Sequence, residues 1–294
     1  MRLSLAIQVG AALFLATAAP GVDVKAATHQ SSFAWRDKAD WFGGFSALHI
    51  SDNGQQMMAL SDRARLVIAR IERLDGEITG IRILGQWPVL SSNGHLMSGG
   101  VGDSEGIAAA PDGGFYISFE GVHRVAHYPA PGTKARVLPR PQAFQHLADN
   151  GSFEGLAIDR RGRLYTLPET NRTAGGDIPV YRWNGQTWST PFVLPQRGWF
   201  KPVAADFGPD GRFYVLERNL TAIGFRSRLR RWDLTGDVPN AEETLFETGT
   251  GAHDNLEGLS IWRDDQGRLR ATMISDDNFL ALQRTELVEY LLPD

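Results

Sequence analysis

Short apolar runs alternate with turn residues along this chain, and the alternation repeats in a set order. Gly44-Phe45-Ser46-Ala47-Leu48 is followed by Asp52-Asn53-Gly54 and a second apolar run over 57–61. Glu105-Gly106-Ile107-Ala108 leads through Pro111-Asp112-Gly113 into 115–119, and Glu154-Gly155-Leu156-Ala157 leads through Arg161-Gly162 into 164–167. Val203-Ala204-Ala205-Asp206 precedes Pro209-Asp210-Gly211 and 212–216, and Glu257-Gly258-Leu259-Ser260 precedes Gln266-Gly267 and 269–275. Each copy reads as strand, tight turn, strand, because Gly beside Asp or Asn accepts the positive φ that a hairpin turn needs. Further strand-like runs complete the units: 66–71 and 80–84, 123–128 and 135–138, 179–183 and 187–194, 228–232 and 243–246. Four strands per roughly 50 residues, with no 3.6-residue apolar period, is the pattern of propeller blades.

The expected fold is therefore all-β: a single propeller of five four-stranded antiparallel blades. Six blades is the alternative if 66–90 hides a degenerate unit. The fifth unit is one strand short. Ser32-Phe33-Ala34-Trp35 near the N-terminus has no partner of its own and is expected to fill the gap, hiding two sheet edges.

Composition narrows the chemistry. The 294 residues include no Cys, which excludes thiolate metal sites, cysteine nucleophiles and a disulfide framework. A net charge of −4 gives no field that recruits nucleic acid or an anionic membrane. A hydrophobic share of 42% excludes a disordered chain. Residues 1–26 form a secretory leader pattern: Arg2, an apolar run, then Ala16-Thr17-Ala18-Ala19, with a cut expected after Ala18 or near Ala26. The domain proper is then 27–294, a periplasmic or secreted monomer with no integral membrane span.

Residues at equivalent positions of a propeller converge on its axis. Glu105, Glu154 and Glu257 are equivalent, with Asp103, Ser152 and Asn255 two positions before them. The second strands of the five units end on Asp62, Glu120, Glu169, Glu217 and Asp276-Asp277, so every unit is expected to deliver an acid to one mouth. Converging carboxylates bind cations or raise one another's pKa, and an all-oxygen donor set suits Ca²⁺. Asp62, Glu105, Glu154, Glu257, Asp276 and Asp277 are the expected metal ligands. Glu105, Glu154 and Glu257 are the candidate catalytic groups, with His253 as a candidate general base. Arg63, Arg172, Arg218 and Lys201 lie near the acids and are candidate holders of an anionic substrate. His49 is a second candidate mouth residue. Gly102-Asp103-Ser104-Glu105-Gly106 spells a nucleophile elbow, but it lies on the strand repeat where the elbow needs a helix.

Several segments together resemble the bacterial "esterase-like activity of phytase" (phytase-like) family: Gly43-Gly44-Phe45-Ser46-Ala47-Leu48 with Leu60-Ser61-Asp62-Arg63, Asp103-Ser104-Glu105-Gly106, Phe153-Glu154-Gly155-Leu156-Ala157, and Asp254-Asn255-Leu256-Glu257-Gly258 with Ser275-Asp276-Asp277-Asn278-Phe279. The resemblance runs from about 42 to 292. It implies an exported propeller whose Glu and Asp positions, here Asp62, Glu105, Glu154, Glu257, Asp276 and Asp277, carry a phosphoesterase-type activity. The fourth unit departs from it, with Val203-Ala204 in place of Glu-Gly. The reading is an exported hydrolase acting on a small phosphate ester or other anionic substrate with a divalent cation, Ca²⁺ by donor type. A metal-dependent lactonase of the gluconolactonase-like class and a non-enzymatic envelope scaffold are the alternatives.

Overall fold

The computed structural model of the chain describes residues 26–148 and 151–294. The leader expected over 1–26 therefore lies outside the described residues except for Ala26. No helix among the described residues is long and apolar enough to cross a membrane.

Among the described residues, twenty strands form five four-stranded sheets. Strand β1 (Thr28–Ala34) comes first in the chain. Blade 1 is β2 (Phe45–Ile50), β3 (Gln56–Ser61), β4 (Arg65–Leu74) and β5 (Glu77–Pro88). Blade 2 is β6 (Ser104–Ala109), β7 (Phe115–Phe119), β8 (Arg124–Tyr128) and β9 (Arg136–Val137). Blade 3 is β10 (Gly155–Ile158), β11 (Leu164–Leu167), β12 (Ile178–Trp183) and β13 (Trp188–Leu194). Blade 4 is β14 (Lys201–Phe207), β15 (Phe213–Thr221), β16 (Gly224–Asp233) and β17 (Asn240–Glu247). Blade 5 is β18 (Asn255–Arg263), β19 (Leu269–Asp276) and β20 (Glu286–Leu291), with β1 antiparallel to β20 at its outer edge. The stretch 66–90 supplies β4 and β5 of blade 1 rather than a sixth blade.

The turn chemistry follows the sequence. Gly113 and Gly211, between the first two strands of blades 2 and 4, sit at φ 89° and 86°, where a side chain is strained. Apolar residues fill the seams between blades. Leu60, Ile107, Ile117, Phe119 and Tyr128 join blades 1 and 2, while Tyr165, Leu167, Phe213 and Trp232 join blades 3 and 4. Val67, Trp262, Ile274 and Leu287 join blade 5 back to blade 1 by packing. Each fully buried Leu or Phe contributes roughly 1.5–3 kcal/mol, so the seams carry the stability.

The Gly of each Glu-Gly pair is a spacing device. A Cβ on Gly258 would lie 2.6 Å from Ile274 Cγ2 and 2.9 Å from the backbone of Ala47 and Leu48 in blade 1. A Cβ on Gly106 would lie 2.7 Å from Leu156 Cβ and 3.0 Å from the Glu154 carbonyl of blade 3. Removing those side chains lets the innermost strands close to backbone contact, which brings the residues before them to the axis.

Candidate active site at the carboxylate mouth

The acids reach the axis through a repeated irregularity. In β6–β7 the register shifts between Ser104 and Gly106, and in β18–β19 between Leu256 and Gly258. The extra residues are Glu105 and Glu257. A β-bulge leaves one residue unpaired and re-aims its side chain, here toward the mouth. Blades 1 and 4 shift at the same place, with Ser46 and Val203 on the bulge. Glu154 directly precedes β10.

The bulge also settles which second-strand residue faces the mouth. Asn255 pairs with Asp276 and, at the same step, Lys201 pairs with Arg218. The Glu120 N–H bonds to the Asp103 carbonyl at 2.9 Å, and the Asp62 N–H to the Gly44 carbonyl at 2.8 Å. Blade 4 thus presents Arg218 where blades 1, 2 and 5 present Asp62, Glu120 and Asp276. Glu217, expected at the mouth, instead takes Arg228 Nε at 2.6 Å and Arg230 Nε at 2.8 Å inside the blade. The expectation of an acid from every unit is corrected: a strand bears its side chains alternately on two faces, so one step in register turns Glu217 away.

The mouth carboxylates act on one another. Burial, then Glu154, Glu257 and Asp103, push Glu105 well above the usual carboxylate range. Burial, then Glu120, Glu257 and Glu169, do the same to Glu154. Burial raises Glu257 too, and Arg218 opposes it. Burial lifts Asp62 to about 6, Glu120 to about 7 and Asp276 to about 8, with neighbouring acids adding in each case. These shifts arise from lost water and shared negative charge.

The two sides of the mouth differ. On the blade 4 side, Arg218 donates to Glu257, to Asn255 Oδ1 at 2.6 Å and to Glu169 Oε1 at 3.0 Å. Burial disfavours its charge, but Glu257, Glu169 and Glu154 outweigh that and raise its pKa. Lys201 Nζ lies 3.5 Å from Glu169 Oε2. On the blade 2 side, oxygens of Asp103, Glu105 and Glu120 all lie within 4.8 Å of one another. Among the described residues none of the three has a Lys, Arg or His within ion-pair distance. Glu120 accepts the N–H groups of Gly151 and of Ser152, the latter at 2.9 Å.

Other expected residues are placed apart from that triad. Asp277 holds a loop: it accepts the Gly44 N–H at 2.9 Å, the Phe279 N–H at 3.1 Å and the Thr285 hydroxyl at 3.0 Å. Phe279, at φ 52°, is thereby held in the left-handed region and lies beneath Arg63, whose Cζ is 3.2 Å from the ring centroid. Arg172 donates to Gln196 Oε1 at 2.8 Å and to the Asn171 carbonyl at 2.9 Å. His253 pairs with the Tyr290 hydroxyl at 2.8 Å and packs on His29, with burial lowering its pKa. His49 lies at the other end of β2, in a cavity lined also by Asp206 and Asp159 near the opposite ends of the innermost strands. It is not a mouth residue.

A model of the family described as "Phytase-like: Esterase-like activity of phytase" matches residues 40–279. The chain belongs to the phytase-like family. No curated protein matches it. Among solved structures, this phytase-like chain is similar to a virginiamycin B lyase from Staphylococcus aureus, at 12% identity over 91% of this chain and 100% of that one, TM-score 0.48. It is similar to a PQQ-bound aldose sugar dehydrogenase from Streptomyces coelicolor, at 14% identity over 90% and 98% of the two chains, TM-score 0.47. It is also similar to a putative gluconolactonase, at 13% identity over 90% and 93% of the two chains, TM-score 0.47.

Sequence reasoning placed Asp103 and Glu120 in the repeat of this phytase-like chain but assigned neither as a ligand. The available signal was their spacing: Asp103 stands two residues before the bulged Glu105, and Glu120 ends the strand that pairs with it.

Proposed function

We propose that the mouth is the active centre of an ester hydrolase that works with a divalent cation, and that its substrate is a phosphate ester. The observation that carries this is the Asp103, Glu105 and Glu120 triad, three clustered carboxylates without a protein cation among the described residues. Oxygen-only donors at that spacing fit a hard cation such as Ca²⁺, which would offset the burial and the mutual repulsion that raise the pKa of Glu105 and Glu120. A cation held there would supply polarisation of the ester oxygen and a more acidic bound water.

The remaining steps belong to the chain. Glu154 is buried beside the triad, and burial together with Glu120 and Glu257 raises its pKa, which favours the protonated form that could pass a proton to the departing alkoxide oxygen. Arg63 is the available clamp for a developing oxyanion. Its guanidinium rests on Phe279 and makes no ion pair or side-chain hydrogen bond among the described residues; its charge opposes the burial that raises the pKa of neighbouring Asp62, which borders the same cleft as Asp103. Arg218 has a different task, holding Glu257 and Glu169 in place. The leader pattern at 1–26 supports export to the periplasm or beyond.

The test is turnover of p-nitrophenyl phosphate and bis(p-nitrophenyl) phosphate with Ca²⁺ and with EDTA. Turnover that needs the cation and falls at least about a hundredfold in Glu105→Gln and Asp103→Asn is expected. Inertness toward both esters overturns the phosphoesterase reading, and lactone turnover in their place would select a lactonase.

A further inference from the structure

Beside the mouth, a cavity of about 790 Å³ is lined both by Lys201, Arg218 and Asn255 and by Trp199, Leu220 and Leu280. The apolar group is unusually bare: Trp199 is 86%, Leu220 68% and Leu280 58% exposed, and Ile223 in the adjoining hairpin is 86% exposed. Scattered apolar residues on a surface need no explanation, but several converging on one cavity that opens on a polar site mark a place where apolar matter binds. This cavity shares Glu169, Arg218 and Asn255 with the carboxylate mouth, so its occupant has one end among charges and the other against Trp199.

The charges limit what that polar end is. Arg218 is committed to Glu257, Glu169 and Asn255, and Lys201 faces Glu169. Arg63 makes no side-chain ion pair or hydrogen bond among the described residues, and its charge acts on the neighbouring Asp62, opposing the burial that raises that acid's pKa. Set against Asp62, Asp103, Glu105, Glu154 and Asp276, these cations suffice for one anionic group and not for many. A densely phosphorylated polyol would bring more repulsion than attraction and would leave the apolar wall in water.

We infer that the substrate is an amphiphilic ester: one anionic or ester head at the mouth, joined to an alkyl or aryl group that lies in the Trp199, Leu220 and Leu280 cavity. The inference rests on the mouth being the reactive centre, but its binding part stands apart from turnover. Burial of even a few methylenes in such a cavity raises affinity severalfold per group.

The experiment is calorimetric titration of the full chain with methylphosphonate, octylphosphonate (below its micelle concentration) and myo-inositol hexakisphosphate. Octylphosphonate is expected to bind at least about tenfold tighter than methylphosphonate, and the hexakisphosphate no tighter than methylphosphonate. Trp199→Ala with Leu220→Ser, both at exposed positions where folding is not at stake, should cut the octyl advantage to about twofold. Leu74→Ala, 66% exposed on the β4–β5 turn, should leave it unchanged. No octyl advantage, an advantage indifferent to the double variant, or tightest binding of the hexakisphosphate overturns the inference. Trp199-dependent sedimentation with phosphatidylglycerol vesicles in the absence of octyl selectivity would assign the patch to a lipid surface and overturn it as well. Octyl selectivity in a chain that cleaves no ester would sink the hydrolase reading alone; ester turnover without octyl selectivity would sink this one alone.

Discussion

Two sets of buried acids in this propeller are treated in opposite ways. Inside blade 4, Glu217 is fully buried and takes Arg228 Nε at 2.6 Å and Arg230 Nε at 2.8 Å. Inside blade 5, Glu289 is equally buried and takes two donors of Arg73 at 2.7 Å, the Thr272 hydroxyl at 2.7 Å and Arg270 at 3.3 Å. At the mouth, Asp103, Glu105 and Glu120 cluster with no such partner among the described residues. The fold therefore has the means to neutralise a buried acid and uses it within the blades. Where it leaves several acids together without a counter-charge, packing does not account for them. We propose that a charge supplied from outside does.

Neutralising one acid of each set tests the contrast most directly. Glu217→Ala leaves Arg230, itself fully buried, with Glu242 as its remaining acid, and should destabilise by about 3–5 kcal/mol in urea unfolding. Glu105→Gln should do the reverse in EDTA and raise the unfolding midpoint, because it removes a charge the site disfavours. Destabilisation of similar size by both changes would erase the distinction between the sets.

The pH dependence is the next largest effect. Asp62, Glu120 and Asp276 have folded values of about 6, 7 and 8, above the values of an unfolded chain. The folded state then holds protons that the unfolded state has released, so their contribution is full below the unfolded carboxylate value of about 4 and is lost progressively from there as pH rises through 6, 7 and 8. In EDTA the thermal midpoint should fall between pH 5 and pH 8, by roughly 2–4 °C for each kcal/mol lost. Calcium should restore it, and more at pH 8 than at pH 5. A midpoint that is flat over this range, or a calcium gain independent of pH, would place the compensating charge within the protein.

Much of this was legible in the residues. The strand–turn–strand repeat follows from Asp-Gly and Asn-Gly punctuation between apolar runs, which is local chemistry. The convergence of Glu105, Glu154 and Glu257 follows from their equivalence within the repeat. Bulge register was not legible, because an extra residue in β14 has no signature in residue type. Counting along the strands therefore put Glu217 at the mouth, where the hydrogen-bonded register puts Arg218. The same gap hid Asp277's part. A carboxylate that accepts N–H groups from Gly44 and Phe279 is a loop fastener, and only the fold brings blade 1 to that loop.

The smallest expected effect tests the boundary between the two sets, where Arg63 is neither paired like Arg230 nor bare. Its guanidinium is held by a ring rather than by an acid, and that ring is placed at some cost. Phe279 follows Asn278, and both have positive φ, at 52° and 47°, where a bulky side chain is strained. Gly44 has no Cβ, which leaves room for the Phe279 ring and the Asp62 carboxylate side by side. An exposed cation–π contact is worth about 0.5–1 kcal/mol, so Phe279→Leu should weaken methylphosphonate binding by roughly two- to fivefold. Phe279→Tyr, which keeps the ring face, should bind like the parent chain. Arg63→Lys, which keeps the charge but loses the flat stack, should resemble Phe279→Leu. If Phe279→Leu binds unchanged, Arg63 is not positioned by the ring, and its lack of an ion pair reflects solvent exposure rather than a role at the mouth.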